Sequence, residues 1–416
     1  MSSFKPKWLV KVNGTIVTKK TVANLTVTSG RTDIYRQPVA GYCSITLINL
    51  ENENYPFNVG TGVTVEIKNS AGTYVPIFGG YITDIDTAVQ SAGNIDYVTT
   101  TTITALGALS KLPKYIDPGD LAKDFDGNQI YALLKNYLYG SWNQVPASTT
   151  WATYTATTTW ANAQNSGVGE IDQPGSYEMI KRDPLNSDVY SMVAQIANSA
   201  FGVIYEDSSG RIGYADAVHR QTYLSTNGYT ILDANQSLAT GIQSTTKSGD
   251  LRNKYIITYN YGGTGTYTAQ NTTSQTLYGL NAEAFTSSIS KVADATSLAD
   301  RYIELRSIPY PKFESITFPL GNSEISNSTR DSLLGIFLGK PIWIQNLPPN
   351  INEGSFQGYV EGWTFRASYN DLSLTFNASP VNFSQVAVKW YQVNAAEAWN
   401  TLVPTLTWIN AIGAVA

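Results

Sequence analysis

Along the first 110 residues apolar positions alternate with small polar ones. "LTVTSG", "CSITLINL", "GVTVEIKN", "YVPIFGGYITDID" and "YVTTTTITAL" are rich in Val, Ile, Thr and Tyr, and Gly, Asn and Ser separate them. A period of two predicts half-buried strands, and the spacing predicts an antiparallel meander dense enough to close into a barrel or sandwich. The period then changes. In "GNQIYALLKNYLYG" the residues Ile130, Leu133, Leu134, Tyr137 and Leu138 share one helical face, with Gly140 to end it. A second helix is expected with Asp183 as cap, Pro184 in its first turn and Val189, Met192, Val193, Ile196 and Ala200 on one face. "FGVIYEDSSGRIGYADA" predicts a hairpin turning at Ser208 to Gly210.

Strands return with "NKYIITYNYGG". A helix over "KVADATSLADRYIELR" is stopped by Pro309 and Pro311, and a short helical piece, "TRDSLLGIFLG", precedes further strands. "ASTTWATYTATTTWANAQNSG", Ala147 to Gly167, lacks a helical stripe and is expected as an exposed hairpin or loop. The final stretch carries Trp399, Leu402, Val403, Leu406, Trp408 and Ile409 on a helical pattern interrupted by Pro404. It is too short and broken to span a bilayer, and is expected to dock on its own chain or a partner.

The strands contain an internal repeat. "FGGYITD", Phe78 to Asp84, aligns with "FQGYVEG", Phe356 to Gly362, at an offset of 356 − 78 = 278 residues. Upstream, "GTGVTVEI" from Gly60 resembles "GKPIWIQ" from Gly339, and an alternating strand follows each motif. A glycine inside such a strand marks a bulge, a barrel corner or a close backbone approach. Phe78, Gly80 and Tyr81 are therefore expected to mark one such feature, and Phe356, Gly358 and Tyr359 its counterpart.

Composition narrows the function. Hydrophobic residues make up 42% and charged residues 14% of 416, as in a folded chain with a polar, uncharged surface. With 27 Lys+Arg against 32 Asp+Glu the net charge is −5, and no basic run offers a general phosphate-binding surface. Cys43 is the one cysteine, which excludes an internal disulfide framework and a cysteine-clustered zinc site. The N-terminus has no long apolar segment after its lysines, so no secretory signal is expected.

Glu361, set among aromatic residues, has the surroundings of a sugar-cleaving acid. Asp84 and Asp86, two residues apart on one strand face, could join it in holding calcium or in acid chemistry; the plainer reading makes them solvent-facing or subunit-junction acids. Asp124, Asp126 and Asn128 are spaced like a calcium loop, but Lys135 stands where that loop needs glutamate. His219 is the one histidine, with neither a nucleophile elbow nor a second histidine beside it. "YGGTGTY" carries neither phosphate-loop signature and is expected as a loop. No catalytic residue, cofactor or metal is expected.

The strand-rich beginning through "FGGYITDID", the helix "ATSLADRYIELRS" and the closing "LGKPIWIQNLPPNINEGSFQGYVEGWTFRASYNDLSLTFNASP" together resemble the tail hub, or tail-tip minor tail, proteins of long-tailed bacteriophages. These are similar to the baseplate hub of contractile-tailed phages. The resemblance implies a structural virion protein, mainly β with an α+β insertion. Two similar antiparallel β-barrel domains, 1–110 and 239–382, would flank a mixed region at 111–238, with Phe78, Gly80, Tyr81 and Phe356, Gly358, Tyr359 at equivalent barrel corners and an apolar helical extension at 383–416. The Ala147–Gly167 tract and this extension match nothing general to the family and are the expected places for partner contacts. It implies a homotrimer in which six barrels surround the tail axis and match the six-fold tube while DNA passes through. A distal tail protein or tail tube, a tape-measure protein and a central fibre or tip protein would be its partners, and assembly would take place in the host cytoplasm. Glu361, Asp84, Trp399, Leu402, Leu406 and Trp408 are the expected interface residues. A carbohydrate-binding or carbohydrate-cleaving adhesin, and the distal tail protein itself, are the competing readings.

Overall fold

The alternation becomes burial. A computed structural model describes residues 4–17, 21–32, 34, 36–49, 57–89, 98–138, 171–237, 241–260, 263–368 and 371–383. The Ala147–Gly167 tract and the C-terminal residues Trp399, Leu402, Leu406 and Trp408 lie outside them. The first strands are β1 (Trp8–Val12), β2 (Thr15–Ile16), β3 (Thr21–Gly30), β4 (Tyr42–Asn49), β5 (Gly62–Lys68), β6 (Tyr74–Val89) and β7 (Thr99–Gly107). Val27, Cys43, Ile45, Ile103 and Ala105 are sealed from solvent while their neighbours in sequence stay half-exposed. A fully buried Val- or Ile-sized side chain contributes about 1.5–3 kcal/mol, so the period-two pattern specifies which face turns inward.

The middle of the chain holds β8 (Ile116–Asp117), β9 (Asp124–Phe125), α1 (Asp126–Leu138), β10 (Glu178–Met179), β11 (Ser187–Asp188), α2 (Val189–Ser199), the hairpin β12 (Val203–Glu206) and β13 (Ile212–Ala215), and α3 (His219–Asn227). Helix α2 begins later than its sequence suggests. Ser187 and Asp188 pair with Asp117 and Ile116, and the Asp188 carboxylate, not Asp183, accepts from the Ser191 N–H as the cap. Asp183 instead meets Lys181 on the surface. Strands then resume with β14 (Thr230–Asp233) and β15 (Ile242–Thr245), followed by β16 (Lys254–Asn260), β17 (Thr264–Gln270), α4 (Thr272–Tyr278), β18 (Ala282–Thr286) and α5 (Val292–Arg306). Most of the "YGGTGTY" stretch is thus strand, not loop, because β17 pairs along the whole of β16. The chain ends its described course with β19 (Lys312–Pro319), α6 (Asn327–Leu334), β20 (Pro341–Gln345), β21 (Phe356–Ser368) and β22 (Asp371–Pro380).

Thirteen strands form one mainly antiparallel sheet, ordered β15-β19-β22-β21-β3-β4-β7-β6-β5-β1-β2, with β20 pairing β21 and β14 pairing β20. The two expected barrels are met as two strand units sharing this ladder, and among the described strands neither closes on itself. Unit one runs β3-β4-β7-β6-β5-β1, and unit two runs β15-β19-β22-β21-β20-β14 in the same order. One difference is direction: β1 lies antiparallel to β5, whereas β14 lies parallel to β20. Both units share one apolar core. A second core forms under α1, α2 and the β12–β13 hairpin and also takes in Tyr255, Ile257, Leu298 and Ile303 from β16 and α5. No described helix is long and apolar enough to cross a membrane.

Candidate functional site at the joint between the two units

The repeated motif occupies the same register in both units. Phe78, Gly80 and Tyr81 face Val65, Val63 and Gly62 of β5, and Phe356, Gly358 and Tyr359 face Ile344, Ile342 and Pro341 of β20. Gly60 donates its N–H to the Ile82 carbonyl at 2.7 Å, as Gly339 does to Val360 at 2.7 Å, and both glycines hold positive φ (85° and 82°). The motif glycine has a packing reason. A Cβ on Gly80 would lie 2.3 Å from the Leu106 carbonyl oxygen and 2.7 Å from the Phe78 ring; on Gly358 it would lie 2.3 Å from the Ser379 oxygen and 2.5 Å from the Phe356 ring. Each phenylalanine thus folds over the glycine two residues on and covers the strand where a side chain is missing. Each tyrosine lies under a cation, Lys111 Nζ 3.3 Å from the Tyr81 ring centre and Arg220 5.4 Å from that of Tyr359.

One residue past each motif the ladder slips. β6 and β7 lose register between Ile82 and Asp84, and β21 and β22 between Val360 and Gly362. The extra residues are Thr83 and Glu361, so these two positions are equivalent. A bulge bends the strand and re-aims the side chain. Thr83 satisfies itself locally, its hydroxyl donating to the Thr104 carbonyl at 3.2 Å. Glu361 is aimed into the joint between units, with a side chain 1% exposed.

Beyond the bulge β21 leaves β20 and pairs with β3 of unit one, Gly362 to Gly30, Trp363 to Ser29, Phe365 to Val27 and Ala367 to Leu25. This edge-to-edge ladder joins the two units, and Glu361 sits at its head. Its Oε2 accepts from Arg31 Nε at 2.7 Å and Arg220 Nη2 at 3.0 Å, while Oε1 accepts from Arg220 Nη1 at 2.7 Å and Ser379 Oγ at 2.6 Å. The Arg31 N–H donates to the Glu361 carbonyl at 2.7 Å. Three parts of the chain therefore meet on one carboxylate: the exit of β3, the first turn of α3, and the β21–β22 pair. Burial alone would raise the pKa of this carboxyl, but Arg220 and Arg31 outweigh it and hold it at about 2. A general acid needs the opposite shift, so Glu361 between its two arginines lacks the electrostatics of a sugar-cleaving acid.

His219 lies one residue before Arg220 and is buried, its Nδ1 2.5 Å from Asp172 Oδ2. Burial lowers its pKa to about 3 and keeps it neutral. What this contact does is anchor the first turn of α3, from which Arg220 reaches the joint. Asp124, Asp126 and Asn128 do not converge as a calcium loop would. Asp124 accepts from Asn128 Nδ2 at 2.8 Å, while buried Asp126 accepts from the Tyr177 N–H at 2.8 Å and the Tyr214 hydroxyl at 2.5 Å. Asp84 and Asp86 lie together on the exposed end of β6, separated from Glu361 by β7, β4 and β3 in the ladder. No described group of His, Cys, Asp and Glu residues could hold a metal ion.

The outer face of the ladder is rich in hydroxyls. One row of paired positions crosses seven strands through Asp84, Thr104, Ser44, Thr26, Arg366, Ser373 and Pro319. Equivalent threonine pairs bridge the same strands in each unit, Thr46 to Thr102 at 3.3 Å and Thr317 to Thr375 at 2.8 Å, and Thr28 meets Thr364 at 3.2 Å across the joint. The sequence showed the threonines but not that they form one continuous surface. Arg31 and Arg220 carried no signal, since 330 and 141 residues separate them from Glu361.

No family model matches the chain, and no curated protein matches it. Among solved structures it is similar to the 43 kDa tail protein of prophage MuSo2 from Shewanella oneidensis, at 10% identity and a TM-score of 0.57, over 92% of this chain and 98% of that one. It is also similar to a tail protein from Neisseria meningitidis MC58, at 11% identity and a TM-score of 0.59, over 91% and 98% of the two chains. Over nine tenths of its length this chain shares the fold of these two phage tail proteins.

Proposed function

We propose that this chain is a structural hub of a phage tail. Three copies would close into a ring of six similar strand units through which DNA passes, joined to a distal tail ring or tube on one side and a tip or fibre protein on the other. The observation that carries this reading is the duplication: two units of the same strand order and the same bulge, joined edge to edge within one chain. A chain that already holds two equivalent units needs only three-fold assembly to present six of them, which is how a three-fold hub would match a six-fold tube. The hydroxyl face supports the passage of DNA. With Arg366 the one cation in its central row and Asp84 in the same row, this face offers a phosphate backbone no run of cations to bind, so DNA would not be held there. Glu361, fixed between two arginines, supports a structural role at this position over an acid one.

Stoichiometry and end-on symmetry of the purified tail test the reading. Three copies per tail and a three-fold density with six similar lobes are expected. One copy per tail, or a ring whose lobes are unlike one another, would overturn it.

A further inference from the structure

The joint inside the chain has a counterpart that the chain leaves open. The distal half of β21, Gly362–Ala367, is paired on one side by β22 and on the other by β3. The equivalent half of β6, Asp84–Val89, is paired by β7 alone among the described residues. The two halves differ accordingly in exposure: Trp363, Phe365 and Ala367 are buried, whereas Thr87, Ala88 and Val89 are exposed, Val89 by 59%. On the far end of the ladder β15, the counterpart of β3, is paired by β19 alone among the described strands. An edge strand with unpaired N–H and C=O groups is a template for another strand. Here each edge has a worked example of its occupant in the other unit.

We infer that β15 of one copy pairs antiparallel with the distal half of β6 of a second copy, and that this strand addition is the contact between chains. The inference rests on the ring reading above and adds the residues that make it. Register follows from the internal joint, where Thr28, Thr26 and Leu25 pair with Thr364, Arg366 and Ala367. Through their shared partners in the ladder, Thr245, Gln243 and Ile242 correspond to Thr28, Thr26 and Leu25, and Asp86, Ala88 and Val89 correspond to Thr364, Arg366 and Ala367. The contact therefore places Thr245 opposite Asp86, Gln243 opposite Ala88 and Ile242 opposite Val89. Each pair is compatible: a hydroxyl meets a carboxylate, an amide meets a methyl, and two apolar side chains meet, with no like charges opposed. The contact is heterologous, one edge to a different edge, and such contacts propagate into a closed ring or an open filament.

Cysteine pairs test it in the full chain and in assembled tails, because Cys43 is fully buried and leaves the background silent. Asp86→Cys with Thr245→Cys, and separately Ala88→Cys with Gln243→Cys, are expected to cross-link copies under mild oxidation and give a ladder ending at three chains. Ala88→Cys with Thr245→Cys, two positions out of register, is expected to cross-link at least tenfold less. Mass photometry of the unoxidised protein separates the two levels of inference. A trimer whose in-register pairs do not cross-link overturns the strand pairing and leaves the ring standing. Cross-linked ladders running past three chains keep the pairing and overturn the ring. A chain that is monomeric in solution and in tails overturns both.

Discussion

Replacing Glu361 by glutamine keeps the shape of the joint and removes its one negative charge. Arg31 and Arg220 then face each other's charge in a space where Glu361 is 1% exposed and the two guanidinium side chains 10% and 8%. Neutralising one member of a buried ion pair costs about 3–5 kcal/mol, because the partner stays charged and desolvated. The pKa gives an independent figure. A carboxyl that titrates at about 2 in the folded chain and near 4.3 unfolded contributes about 3 kcal/mol, fully present above pH 4.3 and lost as pH falls through 2. The two figures agree, and each is a large share of the ~5–15 kcal/mol that stabilises a typical domain. Guanidinium unfolding followed by tryptophan fluorescence at pH 7 and at steps from pH 5 to pH 2 measures both. Glu361→Gln is expected to lower stability by about 3–5 kcal/mol at pH 7. It is also expected to lose about 3 kcal/mol less than the parent on acidification. The triple change Arg31→Met, Arg220→Leu, Glu361→Leu should recover most of the loss, since no charge is left buried. A glutamine variant within about 1 kcal/mol of the parent at pH 7, with an unchanged acid limb, would refute the reasoning.

Two further outcomes follow from the same geometry. Asp126 is buried at the start of α1 and its pKa is pushed up to about 7, so its contribution runs the other way: full below about 3.9, and lost as pH rises through 7. Asp126→Asn, which can still accept from the Tyr177 N–H, should remove a loss of about 4 kcal/mol between pH 4 and pH 8, read as a flatter curve of melting temperature against pH. At the variable position of the repeat, Gly79 would place a Cβ 2.2 Å from the Ser209 backbone at the tip of the β12–β13 hairpin. Gly79→Ala should cost about 1–3 kcal/mol in denaturant unfolding, while Gln357→Ala at the matching position should cost under about 0.5.

The units were legible because their signal is local. Period-two alternation specifies which side chains turn inward, and the FxGY motif is held by contacts two residues apart and across one strand pair. The equivalence of Thr83 and Glu361 was nearly legible: the alignment brought both residues together, and only the ladder showed that each is the bulged residue. What stayed hidden is non-local. Nothing near Arg31 or Arg220 announces Glu361, and the sharing of a core between 108–215 and 255–303 depends on packing between segments far apart in sequence. Helix α3 was missed for a local reason, since its cap position is Val218, whose side chain cannot accept a hydrogen bond, and "HRQTYLSTN" has a weak apolar face. The start of α2 was misplaced because Asp183–Pro184 mimics a capped helix start, while the Asp188 carboxylate serves the real one.

The two bulges carry the same kink with different residues, threonine in unit one and glutamate in unit two. A partner tethered by its own polypeptide is always within reach, so a contact there can depend on charges that must be stripped of water together and in the right order. A partner that has to be met by diffusion favours a surface that is stable while it waits. In the ring proposed above, the two units of one chain would divide the labour between their edges: one is a permanent weld with a polar lock, and the other keeps the plain hydroxyl that a reversible assembly step can tolerate.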